Sequence, residues 1–213
     1  MTSESILKIF VEQHRLCSPL DPEADPYAEL TINSTVAEWR DANDLLPWQP
    51  LSKFLSEEFN IAATTSEWEQ VLTPPGKRTL NDVCSFISKK YSTDEIKPIK
   101  LLGQECLSAA IFLTLKKNLK RRGVNVDDLK PSSSVTPYID KYFSQMLEQA
   151  TILAKGEKVF DSFKTIRKKS GFWNYINIFD KDRYTFPNGG VDTFRDLTLK
   201  IIEANSKGKL QSN

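Results

Sequence analysis

The chain has 213 residues, 39% hydrophobic and 27% charged, with 29 lysines and arginines against 28 aspartates and glutamates. That length allows one large domain or two small ones with a real buried core, and the even balance of charge supplies no global field toward nucleic acid or an anionic membrane. Three cysteines without metal-ligand spacing and a single histidine leave little basis for a disulfide framework, a zinc site or a nucleophilic triad. No metal and no cofactor are therefore expected, and a reducing cytoplasm is the expected compartment.

The first sixteen residues, MTSESILKIFVEQHRL, lack a basic leader and are interrupted by Glu12 and His14. They predict an ordinary first helix rather than a secretory signal. Its apolar stripe is either Ile6, Phe10 and His14 or Leu7, Val11 and Leu16. Residues 17–27 contain Pro19, Pro22 and Pro26 and predict a loop. Leu51, Phe54, Leu55 and Glu58-Phe59 recur at helical spacing. A second helix start is expected at Ser66-x-x-Glu69, with Trp68 and Val71-Leu72 behind it. Thr79-x-x-Asp82 has the form of a capping box, opening a helix whose apolar face is Val83, Phe86, Ile87 and Tyr91.

Residues 93–98 predict a linker between a first module (1–92) and a second (99–205). In the second, a long helix is expected from Ile99 to Arg122, with Leu107, Ile111, Leu115 and Leu119 repeating every four residues and Gly123 as its stop. Another is expected over 137–155, with Ile139, Tyr142, Phe143, Met146, Leu147, Ala150 and Leu153 on one face. A short helix over 159–168 precedes the aromatic run 172–179, and Asn188-Gly189-Gly190 reads as a turn. The last helix starts at Thr193 and presents Phe194, Leu197, Ile201 and Ala204, with 206–213 as a frayed tail. No stretch reaches the apolar length of a membrane span.

Two matches point to an internal repeat. Leu30-x-x-x-Ser34-x-Val36 corresponds to Leu129-x-x-x-Ser133-x-Val135, and Thr79-Leu80-x-Asp82-Val83 to Thr193-Phe194-x-Asp196-Leu197. The offsets are 99 and 114 residues, so the second copy is about 15 residues longer, and the aromatic segment accommodates them.

Glu57-Glu58-Phe59-Asn60-Ile61, followed by a short helix and the Thr79-initiated last helix, resembles the second half of an acyl carrier protein. The resemblance implies an all-α fold of two small acyl-carrier-like helical bundles in tandem, packed together. In that family a serine in Asp-Ser-Leu bears phosphopantetheine. Counting back from Phe59 reaches Asp44-Leu45-Leu46, so the position holds Leu45, which has no hydroxyl to esterify. In the second copy the count falls beside Ser144. A helix-surface serine is the expected reading of Ser144, and a cofactor-bearing one is the alternative.

The remaining candidates favour structural roles. Ser132-Ser133-Ser134 reads as loop and cap. His14 reads as structural or surface. Glu57/Glu58 and Asp127/Asp128 are neighbours in sequence and so point apart. Asp180-Lys181-Asp182 lacks the rest of a calcium loop, and the basic run Lys116 to Arg122 and Arg167-Lys168-Lys169 reads as solvated. Trp39, Trp48 and Trp68 are core candidates, whereas Phe172, Trp173, Tyr175 and Phe179 are the candidate surface for a protein partner or homodimer. No catalytic residue is assigned. The expectation is a non-enzymatic cytoplasmic binding or scaffold protein. Its alternatives are a true acyl carrier modified at Ser144, and a hydrolase or transferase whose acidic residues converge only in three dimensions.

Overall fold

A computed structural model describes residues 1–92, 96–101, 103–166, 183–185 and 190–211. The described chain is mainly helical, as the periodicity predicts. Helix α1 (Ser3–Cys17) is capped by Thr2, whose hydroxyl accepts from the Ser5 N–H at 3.1 Å. It buries Ile6, Ile9, Phe10 and Leu16, while Val11 stays exposed. After a short 3-10 turn at Ser18–Leu20 come α2 (Val36–Ala42), α3 (Trp48–Phe59), α4 (Thr65–Leu72) and α5 (Leu80–Lys90). Helix α4 is capped by Thr64 and Glu67, not by Ser66 and Glu69: the Glu67 carboxylate accepts from the Thr64 N–H at 2.8 Å. Trp68 and Leu72, four residues apart, then face the core.

The second half departs further from the pattern. The helix expected from Ile99 begins only at Leu107, with α6 (Leu107–Arg121). Before it, β1 (Ile99–Leu101) and β2 (Gln104–Cys106) form an antiparallel hairpin. Gly103, at φ +83°, turns the chain there, where a side chain would be strained. Cys106 therefore precedes the helix rather than lying within it. Helix α7 (Thr136–Leu153) is broken at Tyr142, whose φ of −134° and ψ of 45° separate arms at 136–141 and 143–153.

Among the described residues, the short helix expected over 159–168 is not formed. Residues 157–163 carry no helix or strand, and β3 (Lys164–Ile166) pairs with β4 (Arg183–Thr185). Val159, Phe160 and Phe163 have helix-like spacing, yet they are buried from a segment that is not helical. The carbonyls of Phe160 and Asp161, freed from any helical ladder, accept from the Arg15 guanidinium. Helix α8 (Phe194–Gln211) takes in residues 206–211 of the stretch expected to fray. The Asn205 amide donates to the Leu153 carbonyl at 2.9 Å, and Lys207 pairs with Glu203 at 2.7 Å, tying those turns down.

The two halves share a set of hydrogen bonds. In the first, the Val36 N–H donates to Arg78 O, Leu80 N–H to Ser34 O, Asn81 N–H to Ile32 O, and Thr31 N–H to Ser34 Oγ. In the second, the Val135 N–H donates to Asp192 O, Phe194 N–H to Ser133 O, Arg195 N–H to Pro131 O, and Lys130 N–H to Ser133 Oγ. Each partner lies 99 residues (135 − 36) or 114 residues (194 − 80) beyond its counterpart. The same 99-residue offset carries Asn43, which ends α2, onto Tyr142, the break in α7.

Each half has its own apolar core, and the cores exchange members. Leu16 of α1 belongs to the second core and Ile152 of α7 to the first. Gly156, at φ +79° just beyond α7, lies directly on the α1 backbone at Lys8 and Ile9, where any Cβ would collide. Lys8 also pairs with Glu157 at 3.0 Å.

Candidate functional site at the junction of the two halves

Where α1 and α3 lean on α7, a cavity of about 150 Å³ remains between them. Phe10, Gln13 and Cys17 reach it from one face of α1, being three and seven residues apart. Leu51, Leu55 and Glu58 do so from one face of α3, with Phe54 beside them. Trp39 and Asn43 enter from α2 and its C-terminal cap, and Leu45 from the following connection. Ser144, Leu147 and Glu148 come from the second arm of α7. The walls are mostly apolar; Phe10 and Trp39 pack with ring centroids 4.7 Å apart.

Two carboxyls sit at the polar end. Glu58 is 1% exposed and Glu148 3% exposed. The Gln13 amide donates to Glu58 Oε1 at 2.6 Å and to Thr151 Oγ1 at 3.1 Å. Arg122 donates to Glu148 Oε2 from Nη2 at 2.8 Å and from Nε at 3.1 Å, and its Nη1 reaches the exposed Glu57 at 2.7 Å. The guanidinium lies over the Phe54 ring, 5.9 Å from its centroid. Glu58 Oε2 and Glu148 Oε1 are buried without a hydrogen-bond partner.

Burial, together with the neighbouring Glu148 charge, pushes the Glu58 carboxyl up to about 8, against the opposing pull of Gln13 and Arg122. Burial likewise raises Glu148, to about 7, with Arg122 pulling the other way. The Cys17 thiol is pushed up to about 12 by burial and by the charges of Glu58, Glu148 and Asp21, which makes it a poor nucleophile at neutral pH.

The candidates read from sequence fall in different places. Ser144 is exposed on α7 and contributes to the cavity lining. Leu45, at the position where the resemblance would put the carrier serine, lines the same cavity. His14 is buried, with Nδ1 2.9 Å from Asn43 Oδ1. Ser133 accepts from the Lys130 N–H at 3.0 Å and Ser134 bridges to Thr193, both loop roles. Trp39 and Trp68 are core residues, and Trp48 packs on the same core. Phe172, Trp173, Tyr175 and Phe179, with Asp180 and Asp182, lie outside the described residues.

Two expectations are corrected here. Arg122 is not a solvated helix end: its side chain is 10% exposed and holds a buried carboxylate. Glu57 and Glu58 do point apart, but Glu58 converges with Glu148, 90 residues away (148 − 58). A signal for this was present, because Glu58 falls on the apolar stripe of its own helix, where an ionisable group needs a partner.

Among the described residues, no group of three histidine, cysteine or acidic side chains is placed to hold a metal ion. Among the same residues, no helix is long and apolar enough to cross a membrane. No family model, no curated protein and no solved structure matches this chain.

Proposed function

We propose that this is a non-enzymatic binding protein, built from two degenerate acyl-carrier-like modules that hold a small ligand at their junction. The observation that carries the reading is the cavity itself. It is apolar on most sides, has two under-satisfied carboxyls at one end, and is assembled from both halves of the chain. Such a combination of apolar walls and a few convergent polar atoms is the usual make-up of a small-molecule site. The bond-for-bond correspondence of the halves supports descent from a duplicated module. Leu45 lining the cavity supports a noncovalent rather than a phosphopantetheine-borne ligand. The three cysteines are all free thiols, which supports a reducing, cytoplasmic setting.

The carboxyl pair gives a second reading some support, that of a hydrolase or transferase using Glu58 and Glu148 as acid and base. The binding reading ranks ahead of it because Glu148 is already held by Arg122 and Cys17 is held as a thiol.

Thermal shift with a library of benzene-sized fragments tests the binding reading. A binder should raise the melting temperature in a saturable way, and a library without one would count against the proposal. Intact mass after incubation with coenzyme A and a phosphopantetheinyl transferase addresses the carrier alternative. No increment is expected, whereas an increment lost in Ser144→Ala would establish a carrier.

A further inference from the structure

The charges around the cavity are unbalanced. Glu58 and Glu148 are both more than nine-tenths buried; Arg122 bonds Glu148, and its charge acts on Glu58 as well. Arg122 spends two of its donors on Glu148 Oε2 and a third on Glu57, which solvent already screens. With both buried carboxyls ionised, this group carries one uncompensated negative charge. A buried charge in that condition takes up a proton or a counter-ion. Both carboxyl side chains line the cavity, and each keeps one buried oxygen, Glu58 Oε2 and Glu148 Oε1, without a hydrogen-bond partner. Phe10, Trp39 and Phe54 line the same cavity, and the Phe54 ring already carries the Arg122 guanidinium.

We propose that the junction cavity binds a small organic ammonium ion, its charged nitrogen pairing with the Glu58 and Glu148 carboxyls and its apolar body lying against Phe10, Trp39 and Leu147. This rests on the binding reading above and names the class of ligand. The size fits, since an apolar cavity of about 150 Å³ admits a benzene-sized body. Two features make an ammonium a better occupant than a neutral isostere. It supplies the positive charge that Glu58, Glu148 and Arg122 lack when both carboxyls are ionised, and it carries several N–H donors for a pair of carboxylates. On binding, the proton held by the carboxyl pair passes to solvent and is replaced by the ligand's N–H donors, so charge is conserved within the site.

The test is calorimetric titration of the full chain near neutral pH with benzylammonium chloride and, separately, with benzyl alcohol, which has the same body and no charge. Benzylammonium should saturate one site and bind at least about tenfold more tightly than the alcohol. Repeating the titration in buffers of different ionisation enthalpy should show proton release on binding. Glu58→Gln, which keeps the shape and can still accept from Gln13, should weaken benzylammonium by a similar factor and the alcohol by much less. Equal affinity for the two ligands, or full ammonium affinity in Glu58→Gln, would overturn the ammonium assignment and leave the cavity a neutral binding site. Binding of neither ligand would overturn the cavity reading together with it. Should Glu58→Gln fail to fold by far-UV circular dichroism, the comparison of the two ligands on the wild-type chain decides.

Discussion

Glu58 is the residue whose chemistry the surrounding fold changes most. Its carboxyl is held at about 8 against an ordinary value of 4.5, so between those limits the folded chain binds a proton that the unfolded chain has released. Stability must then fall as pH rises from about 4.5 toward 8 and level off above it, the opposite of a salt-bridged carboxylate. Glu148, raised to about 7, adds to the same slope, while Arg122 and Gln13 oppose it. Glu58→Gln should flatten the dependence and melt above wild type at pH 9. Melting curves of both proteins from pH 5 to 9 check this; parallel profiles would mean that Glu58 is ionised in the fold. The sequence pointed toward this residue without revealing its partner. An acid on an apolar helical stripe is visible in one dimension, but Glu148 comes from another helix, and only packing brings the two together.

Among the elements, those legible in advance were the ones whose signals are local. Helices α1, α3, α5 and α8 carry a complete apolar period, and the Thr79 and Thr193 boxes form as the motif predicts, each threonine N–H donating to Asp82 or Asp196 at 2.9 Å. Val159, Phe160 and Phe163 have the spacing of a helix, but residues 157–163 form none, and Arg15 arrives from α1 to bond the carbonyls of Phe160 and Asp161. The break at Tyr142 was likewise hidden, because 139–153 keeps one apolar period on both sides of it. The exit from α7 offers the sharpest test of an element contact. Gly156 combines a left-handed backbone with direct contact on α1 at Lys8 and Ile9. Gly156→Ala should therefore cost about 2–3 kcal/mol in urea unfolding, from backbone strain and overpacking together. Gly103, also left-handed but open on all sides, is the control: Gly103→Ala should cost about 1 kcal/mol. Equal losses would show that α1 does not rest on this turn.

At the scale of the whole molecule, the halves are alike in plan and joined in fact. The exchange of Leu16 and Ile152 between cores, the Lys8–Glu157 and Arg122–Glu57 pairs, and the shared cavity make each half part of the other's packing. The second core nevertheless closes differently. Where the first half places α4, the second runs through residues 157–163, which form neither helix nor strand, and the β3–β4 pair. The likeness was visible in sequence as two short matches at constant offsets, because backbone bonding and capping impose the same residue types at the same points. The junction was not visible, because nothing in either copy specifies which face meets the other. The most direct test of a ligand site built by both halves is a methyl-resolved NMR titration with whichever fragment stabilises the protein. Saturable shifts should cluster on Leu45, Leu51 and Leu55 of the first half and Leu147 of the second, moving with one dissociation constant. Shifts confined to one half, or centred away from these four leucines, would contradict a site built by both halves.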